Sequence, residues 1–173
     1  MEVPRDFYLQ RLIRAQWDGQ VKVITGIRRC GKSYLLRTLF RKYLLAQGVR
    51  DEQIISLELD LTRHVRYRNP LELAQYVRER VEGKPGKFYL FIDEIQMSEP
   101  VKNPYLPAGK EITFYDALND FREMANVDVY VTGSNSKMLS SDILTEFRGR
   151  SNEIRVHPVS FAEFYSVVGG DKN

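Results

Sequence analysis

Short apolar runs alternate with longer segments of helical periodicity along most of the chain. Five of the short runs predict β-strands. Between the strands, apolar residues that recur every three or four positions predict helices over 32–46, 70–81 and 113–124. Strands that alternate with helices are typical of βαβ units around a parallel sheet, so an α/β fold is expected. The predicted strands are Val21–Thr25, Ile54–Leu59, Phe88–Ile92, Asp128–Thr132 and Glu153–Val156.

Capping signals mark the starts of three predicted helices. A side-chain oxygen before the first turn accepts a hydrogen bond from a backbone N–H group that the helix leaves unpaired. Proline is favoured at the first helical position because it has no N–H group to lose there. The starts are Asn69 with Pro70, Thr113 with Asp116, and Ser160 with Glu163, which opens a helix through Tyr165. Short helical turns are expected between Lys137 and Phe147.

Two connecting segments show neither strand nor helix periodicity. Residues 60–69 are polar and basic and predict a loop. Residues 97–112 hold Pro100, Pro104, Pro107 and Gly109, and they predict a surface loop longer than the usual link between a strand and a helix. This loop is either a neutral insertion, which is the simpler interpretation, or an element that binds a partner.

The composition narrows the class of protein. The chain has 173 residues, of which 43% are hydrophobic and 28% charged, as in a soluble domain with a packed core. No apolar run approaches the roughly 18 residues of a membrane span. The net charge of +3 is spread along the chain, so contact with DNA is open but unsupported. Cys30 is the single cysteine and no histidines cluster, which predicts a reducing, cytoplasmic setting without a zinc site.

A glycine-flanked segment lies between the first strand and the first long helix. It matches the pattern G-x-x-x-x-G-K-[ST] at every fixed position. Glycine lets backbone N–H groups approach phosphate oxygens, and the helix N-terminus adds its positive dipole end. Lys32 is expected to contact the β- and γ-phosphates of ATP, and the Ser33 hydroxyl to bind Mg²⁺. The predicted nucleotide-binding residues are Gly26, Ile27, Arg28, Arg29, Cys30, Gly31, Lys32, Ser33 and Tyr34.

Three side chains of this loop have open roles. Arg28 and Arg29 either act on the phosphates or a partner, or are simply exposed to solvent. Cys30 is either a reactive thiol at a helix N-terminus or a small apolar filler of the loop. The filler is the simpler interpretation.

Acidic and polar residues follow the third and fourth strands. Beside a phosphate loop, an aspartate at a strand end binds Mg²⁺, so Asp93 is a predicted metal ligand together with Ser33. Glu94 points to the opposite side of the strand and is the predicted general base for the attacking water. After the fourth strand, Asn135 is the first candidate and Ser134 the second to contact the γ-phosphate or that water. The alternative is a turn that caps the next helix.

An arginine pair lies further on, in the segment EFRGR. An arginine near the γ-phosphate stabilises transition-state charge, whether it comes from the same chain or a neighbouring copy. Arg148 and Arg150 are candidates for this role, and the alternative is that both are solvated.

Four stretches together resemble the AAA-type P-loop ATPases of bacteria and archaea, in the branch that carries a C-terminal domain of unknown function. They are ITGIRRCGKSYLL, FYLFIDEIQ, VYVTGSNSKML, and FRGR followed by HPVSFAEF. The resemblance extends from Pro4 to Tyr165. The phosphate loop is common to many ATPases, whereas the Asp-Glu-Ile-Gln run and the ending from Gly149 to Phe161 are more particular to this branch.

The resemblance implies a three-layer αβα P-loop fold whose five-stranded parallel sheet has the order 5-1-4-3-2. It also implies that residues 4–8 border the adenine. Residues 1–173 would then be the ATPase domain of a longer protein, with residues 97–112 as an insertion. The implied roles are Walker-type functions for Lys32, Ser33, Asp93 and Glu94, a sensor near Ser134 and Asn135, and catalysis by Arg150.

The leading functional prediction is an ATPase that binds ATP with Mg²⁺, hydrolyses it to ADP and phosphate, and drives a conformational change in an attached domain or partner. The alternative is a nucleotide-gated regulatory or DNA-associated module with little hydrolysis, but the presence of Glu94 favours the ATPase. A GTPase is disfavoured because the segment from Asn135 lacks the pattern Asn-Lys-x-Asp. No acceptor pocket is recognisable for a phosphotransferase, and assembly into a homo-oligomer stays open.

Overall fold

The computed structural model describes residues 5–134 and 151–158. Its five parallel strands form one sheet with the order β2-β3-β4-β1-β5, which confirms the predicted order 5-1-4-3-2. The apolar strand β3 lies inside the sheet, and every residue of it is buried, as predicted. The strands are β1 Val21–Thr25, β2 Ile54–Glu58, β3 Phe88–Asp93, β4 Val127–Gly133 and β5 Ser151–Arg155.

In the described part of the chain, four helical segments pack on the sheet. They are α1 Asp6–Ala15, α2 at residues 32–46, α3 Pro70–Val81 and α4 Phe114–Glu123. Segment α2 begins as an α-helical turn at Lys32–Tyr34, winds as a π-helix over Leu35–Phe40 and continues as an α-helix at Arg41–Ala46. None of the described helices is long and apolar enough to cross a membrane.

The strand side chains alternate between two apolar layers. Phe88, Leu90 and Ile92 of β3 face the layer that packs against α3 and α4. Tyr89 and Phe91 of the same strand face the other layer, which includes side chains of α1 and α2. The alternation follows from the two-residue period of a strand, and it produces the predicted three-layer αβα arrangement.

The predicted caps of α3 and α4 are confirmed. The Asn69 side chain accepts hydrogen bonds from the backbone N–H groups of Leu71 and Glu72, at 3.0 and 3.5 Å. At α4, the Asp116 carboxylate accepts a hydrogen bond of 2.9 Å from the Thr113 N–H group and completes a capping box. The helical turns predicted between 137 and 147 and the helix predicted to start at Ser160 lie outside the described residues.

Three local features differ from the sequence prediction. Residues 60–69 are not simply a loop, because they contain the 3₁₀ helix Thr62–Arg68. Helix α1 had no predicted counterpart, since its start carries no side-chain cap and only Leu12 and Ala15 of it are buried. The ends of β2, β3, β4 and β5 differ by one or two residues from the predicted ends. For example, β5 begins at Ser151 because this residue lies in register beside Val21.

Residues 97–112 form a long surface loop, as predicted. An antiparallel bridge joins Val101 to Ile112, whose backbone groups exchange hydrogen bonds of 2.9 and 2.8 Å. At the tip, the Asn103 side chain accepts hydrogen bonds from the N–H groups of Tyr105 and Leu106, at 2.9 and 3.2 Å. Tyr105 and Leu106 are 89% and 66% exposed, so the loop presents an ordered apolar tip to solvent.

Candidate functional site

The loop between β1 and α2 has backbone angles that turn the chain sharply. Gly26, Arg29 and Gly31 have positive φ angles of 151°, 63° and 95°. Gly31 is the N-cap of α2, so the unpaired N–H groups of the first helical turn adjoin the loop. The loop and the helix start together form the arrangement that the sequence pattern requires for binding phosphate.

Lys32 lies inside the loop and is only 4% exposed. Its ammonium group donates hydrogen bonds to the carbonyl oxygens of Gly26 and Ile27, at 2.9 and 2.8 Å. The buried Cys30 Sγ lies 3.7 Å from the same nitrogen, which agrees with a role as filler of the loop. A phosphate oxygen carries charge and is a stronger acceptor than a carbonyl, so Lys32 is placed to exchange these partners for a nucleotide.

Gly26 lies against the chain that follows β5. A Cβ atom at this position would be 2.5 Å from the Val156 carbonyl oxygen and 2.7 Å from Cys30 Sγ. Both distances are far inside van der Waals contact, and side chains rarely adopt a φ of 151°. Only glycine therefore fits at the start of the loop.

We expect Gly26→Ala to weaken ATP binding by about tenfold or more. The added methyl group forces the loop away from Val156, and overpacking of this kind costs about 1–3 kcal/mol. Titration with a fluorescent ATP analogue measures the effect. Gly83→Ala is the control, because Gly83 also has a positive φ, 69°, but an added Cβ there meets nothing within 4 Å. Equal affinities of Gly26→Ala and Gly83→Ala would contradict this account.

Asp93 ends β3 with its carboxylate buried between two hydroxyl groups. Ser33 Oγ lies 2.9 and 2.8 Å from the two carboxylate oxygens, and the Thr132 hydroxyl donates from β4. Burial raises the pKa of Asp93, while the hydrogen bonds from Thr132 and Ser33 oppose that shift. A cation at this carboxylate would offset the cost of burying its charge.

Glu94 follows at a left-handed backbone position, with a φ of 57°. Its N–H group donates to Thr132 Oγ1 at 3.0 Å. The single hydrogen of the Thr132 hydroxyl is donated to Asp93, so Thr132 joins the two acids in a fixed orientation. The Glu94 carboxylate accepts from Ser134 Oγ, at 3.1 and 3.0 Å, and from Gln96 Nε2. The sequence predicts Thr132 only as a strand residue and predicts no role of its own for Gln96.

A group of charged side chains lies beside Asp93 at the end of β2. Arg37 of α2 forms an ion pair with Glu58 and lies 3.8 Å from Asp93. Arg63 lies 3.4 Å from Glu58, and His64 Nδ1 accepts a hydrogen bond of 2.9 Å from the Glu58 N–H group. A cavity of about 420 Å³ is bordered by Arg37, Glu58, Arg63 and His64. The sequence does not predict this group, although Arg37 lies off the apolar stripe of α2.

A second cavity, of about 250 Å³, adjoins the phosphate loop. It is lined by Gly26, Ile27 and residues 155–158. The start of α1 contacts the same chain segment, because Arg5 donates to the His157 carbonyl oxygen at 2.6 Å and the Tyr8 hydroxyl accepts from the His157 N–H group at 3.1 Å. Arg5 and Tyr8, which belong to the residues that the resemblance implies at the border of the adenine, thus lie next to this cavity.

Some of the remaining predicted site residues lie in the described part of the chain and others do not. Arg28 and Arg29 are exposed on the phosphate loop, and Tyr34 is half-buried against the layer that includes α1 and α2. Asn135, Arg148 and Arg150 lie outside the described residues, so their roles stay predictions.

The parallel sheet, the phosphate loop and the acidic end of β3 define a P-loop nucleotide-binding domain. Residues 18–165 match the AAA domain family, and the chain belongs to that family. The predicted resemblance to AAA-type P-loop ATPases is therefore confirmed.

Two relatives have no established function. An uncharacterized protein of Haemophilus influenzae is 34% identical over 169 residues, which are 98% of this chain and 39% of that protein. An uncharacterized protein of Methanocaldococcus jannaschii is 31% identical over 150 residues, which are 84% of this chain and 28% of that protein. The chain thus spans well under half the length of these relatives.

Solved structures share the fold at low sequence identity. PCH-2 of C. elegans has a TM-score of 0.57 and 15% identity, covering 87% of this chain and 38% of that one. Cdc6p of Pyrobaculum aerophilum has a TM-score of 0.54 and 15% identity, covering 96% and 50%. AMPPCP-bound DnaA of Aquifex aeolicus has a TM-score of 0.52 and 13% identity, covering 93% and 47%. At these identities the similarity concerns the fold alone.

Proposed function

We propose that this domain binds ATP with Mg²⁺ and hydrolyses it to ADP and phosphate. The observation that carries the proposal is the hydrogen-bonded chain at the carboxyl ends of β3 and β4. In it, Ser33 of the phosphate loop contacts Asp93, and Thr132 connects Asp93 to Glu94. The proposed metal ligands, the Ser33 hydroxyl and the Asp93 carboxylate, thereby lie beside the phosphate loop. The Glu94 carboxylate, which is proposed to accept a proton from water, lies next to them.

The phosphate loop supports the binding step. The buried Lys32 ammonium lies at its centre, and the positive dipole end of α2 favours a negatively charged ligand. We assign the adenine ring to the cavity bordered by Ile27 and His157, because it adjoins the loop and is lined partly by apolar atoms. In this proposal the phosphates would lie at Lys32 and the base towards the start of α1.

Ser33 and Asp93 fit a magnesium ion. Mg²⁺ prefers oxygen ligands and keeps several water molecules, so one or two protein oxygens and the phosphate oxygens are sufficient. Among residues 5–134 and 151–158, no three His, Cys, Asp or Glu side chains converge, which suits an ion shared with a nucleotide. When bound, the ion would neutralise charge on the phosphates.

Glu94 is the proposed general base. Its carboxylate oxygens are acceptors, and Ser134 and Gln96 hold them in place. By taking a proton from water, this carboxylate would make the water oxygen a better nucleophile towards the γ-phosphorus.

The output of the cycle is proposed to be a conformational change in a further domain or a partner. The support is the length of the relatives, of which this chain covers 39% and 28%. Residues 1–173 would act as one ATPase domain, with residues 97–112 as an insertion.

The direct test compares ATP binding and phosphate release with and without Mg²⁺. Mg²⁺-dependent turnover is expected of the wild type. Lys32→Met should weaken ATP binding by about 10- to 100-fold, because a charged hydrogen bond to phosphate contributes roughly 1.5–3 kcal/mol. Lys110→Met, which removes an exposed lysine of the loop 97–112, should bind like the wild type. Failure of the wild type to bind ATP would overturn the proposal.

A further inference from the structure

Gln96 lies two residues after Glu94, in the 3₁₀ turn Ile95–Met97. The turn is well anchored, because Ile95 is fully buried and the Met97 N–H group donates to the Glu94 carbonyl oxygen at 3.0 Å. The left-handed φ of Glu94 redirects the chain, and the Gln96 side chain folds back onto the Glu94 carboxylate. The backbone itself therefore holds the amide beside the proposed base.

The orientation of the Gln96 amide follows from the chemistry of its partner. An ionised carboxylate only accepts hydrogen bonds, so the NH₂ end of the amide must face Glu94. The carbonyl oxygen of the same amide, Oε1, is then the atom that has no hydrogen bond to the carboxylate. This oxygen is buried, yet it accepts no hydrogen bond from any group in the described ranges.

A buried acceptor without a donor is unusual and costs free energy. Here the unmet acceptor lies next to the carboxylate that is proposed to activate water. A water molecule has two hydrogens, and with two hydrogen bonds of about 2.8 Å it bridges acceptors that are roughly 4.5 Å apart. It would give one hydrogen to Glu94 and the other to Gln96 Oε1.

We propose that Gln96 is a second catalytic group of this site, which orients the attacking water together with Glu94. The inference rests on the hydrolysis proposed above and goes beyond it by giving the water two acceptors. The amide nitrogen holds the Glu94 carboxylate, and the amide oxygen fixes the direction of the water lone pair.

The chemical step balances without any change in Gln96. The water oxygen forms a bond to the γ-phosphorus, and the bond from that phosphorus to the oxygen of the leaving ADP breaks. One water proton passes to Glu94 and later returns to the released phosphate or to solvent. Gln96 keeps its protons throughout, so its contribution is orientation of the water.

Gln96→Met tests the inference, because methionine has a similar length but neither donates nor accepts as the amide does. We expect kcat to fall about 10- to 100-fold, less than the loss of a general base, while KM and the dissociation constant for Mg-ATP stay within about twofold. Gln75→Met is a matched control, since Gln75 also donates to a glutamate, Glu79, at 3.0 Å, but on the exposed face of α3. Its kcat should equal that of the wild type.

A double variant separates catalysis from a structural role. In the Glu94→Gln background, Gln96→Met should cause little further loss of kcat, because the two groups act on the same water. Wild-type kcat in Gln96→Met would overturn the inference. The inference would also be overturned if ATP binding weakened, or the unfolding midpoint fell, in parallel with the loss of kcat. A wild type that binds ATP but never releases phosphate would instead refute the proposed hydrolysis, and the role of Gln96 with it.

Discussion

Glutamine in place of Glu94 is expected to slow phosphate release by about 10³-fold, as for the loss of a general base, while Mg-ATP still binds. Glutamine has the shape of glutamate and keeps an oxygen for Ser134, but it does not take a proton from water at neutral pH. The contact of Ser33 with Asp93 does not involve the Glu94 side chain, so the metal ligands stay in place. Single-turnover phosphate release and equilibrium binding of ATP measure the two effects separately.

Glu99→Gln provides the control for this experiment, since Glu99 is an exposed carboxylate five residues further on. Its turnover should match that of the wild type. Equal turnover of Glu94→Gln and the wild type would show that another group activates the water. Tight ATP binding without turnover in either protein would identify a nucleotide-gated module, the alternative that the sequence left open.

The sheet order and the phosphate loop were predictable because each depends on patterns that are local or shared with a family. All the residues that define the β1–loop–α2 unit are consecutive in sequence, from the apolar strand to the glycine, lysine and serine positions. The caps at Asn69 and Thr113 were also predictable, since a capping residue and the N–H group with which it pairs lie within three residues of each other.

The contacts that complete the site were not predictable, because they join residues that are distant in sequence. Thr132 meets Asp93 only because β4 pairs with β3. Arg37 meets Glu58 across the gap between α2 and β2. Thr132 and Arg37 belong to residue types that are also common at exposed positions, so their identity alone does not predict these contacts. Their roles depend on strand neighbours, which periodicity does not specify.

The same limit applies to Lys22, the second residue of a strand that the sequence predicts as an apolar run. It is fully buried and forms an ion pair with Asp128 of β4, which is 3% exposed. The Trp17 backbone N–H group and the Tyr130 hydroxyl also donate to Asp128, at 3.0 and 2.5 Å. Burial raises the pKa of Tyr130, and the nearby Asp128 carboxylate raises it further, so this hydroxyl keeps its proton and remains a donor. Three donors therefore depend on one buried carboxylate.

Asp128→Ala is expected to lower the unfolding free energy by about 3–5 kcal/mol, the range for removing one partner of a buried ion pair. Asp18 remains 3.1 Å from Lys22, which favours the lower part of that range. Urea unfolding measures the loss. Asp120→Ala is the matched control, because Asp120 forms an exposed pair with Arg78 at 3.2 Å, and its loss should cost less than about 1 kcal/mol.

Two further measurements separate this structural role from catalysis. The double variant Lys22→Met with Asp128→Leu removes both charges, and it should be more stable than Asp128→Ala because no uncompensated charge stays buried. The network lies at the amino ends of β1 and β4, whereas Asp93 lies at the carboxyl end of β3. Folded Asp128→Ala should therefore keep the wild-type kcat. If Asp128→Ala is no less stable than Asp120→Ala, the buried ion pair does not stabilise the fold. The connection between α1 and β1 would then be held by the other contacts of Trp17, which include a hydrogen bond of 3.2 Å from its indole N–H group to the Tyr89 hydroxyl.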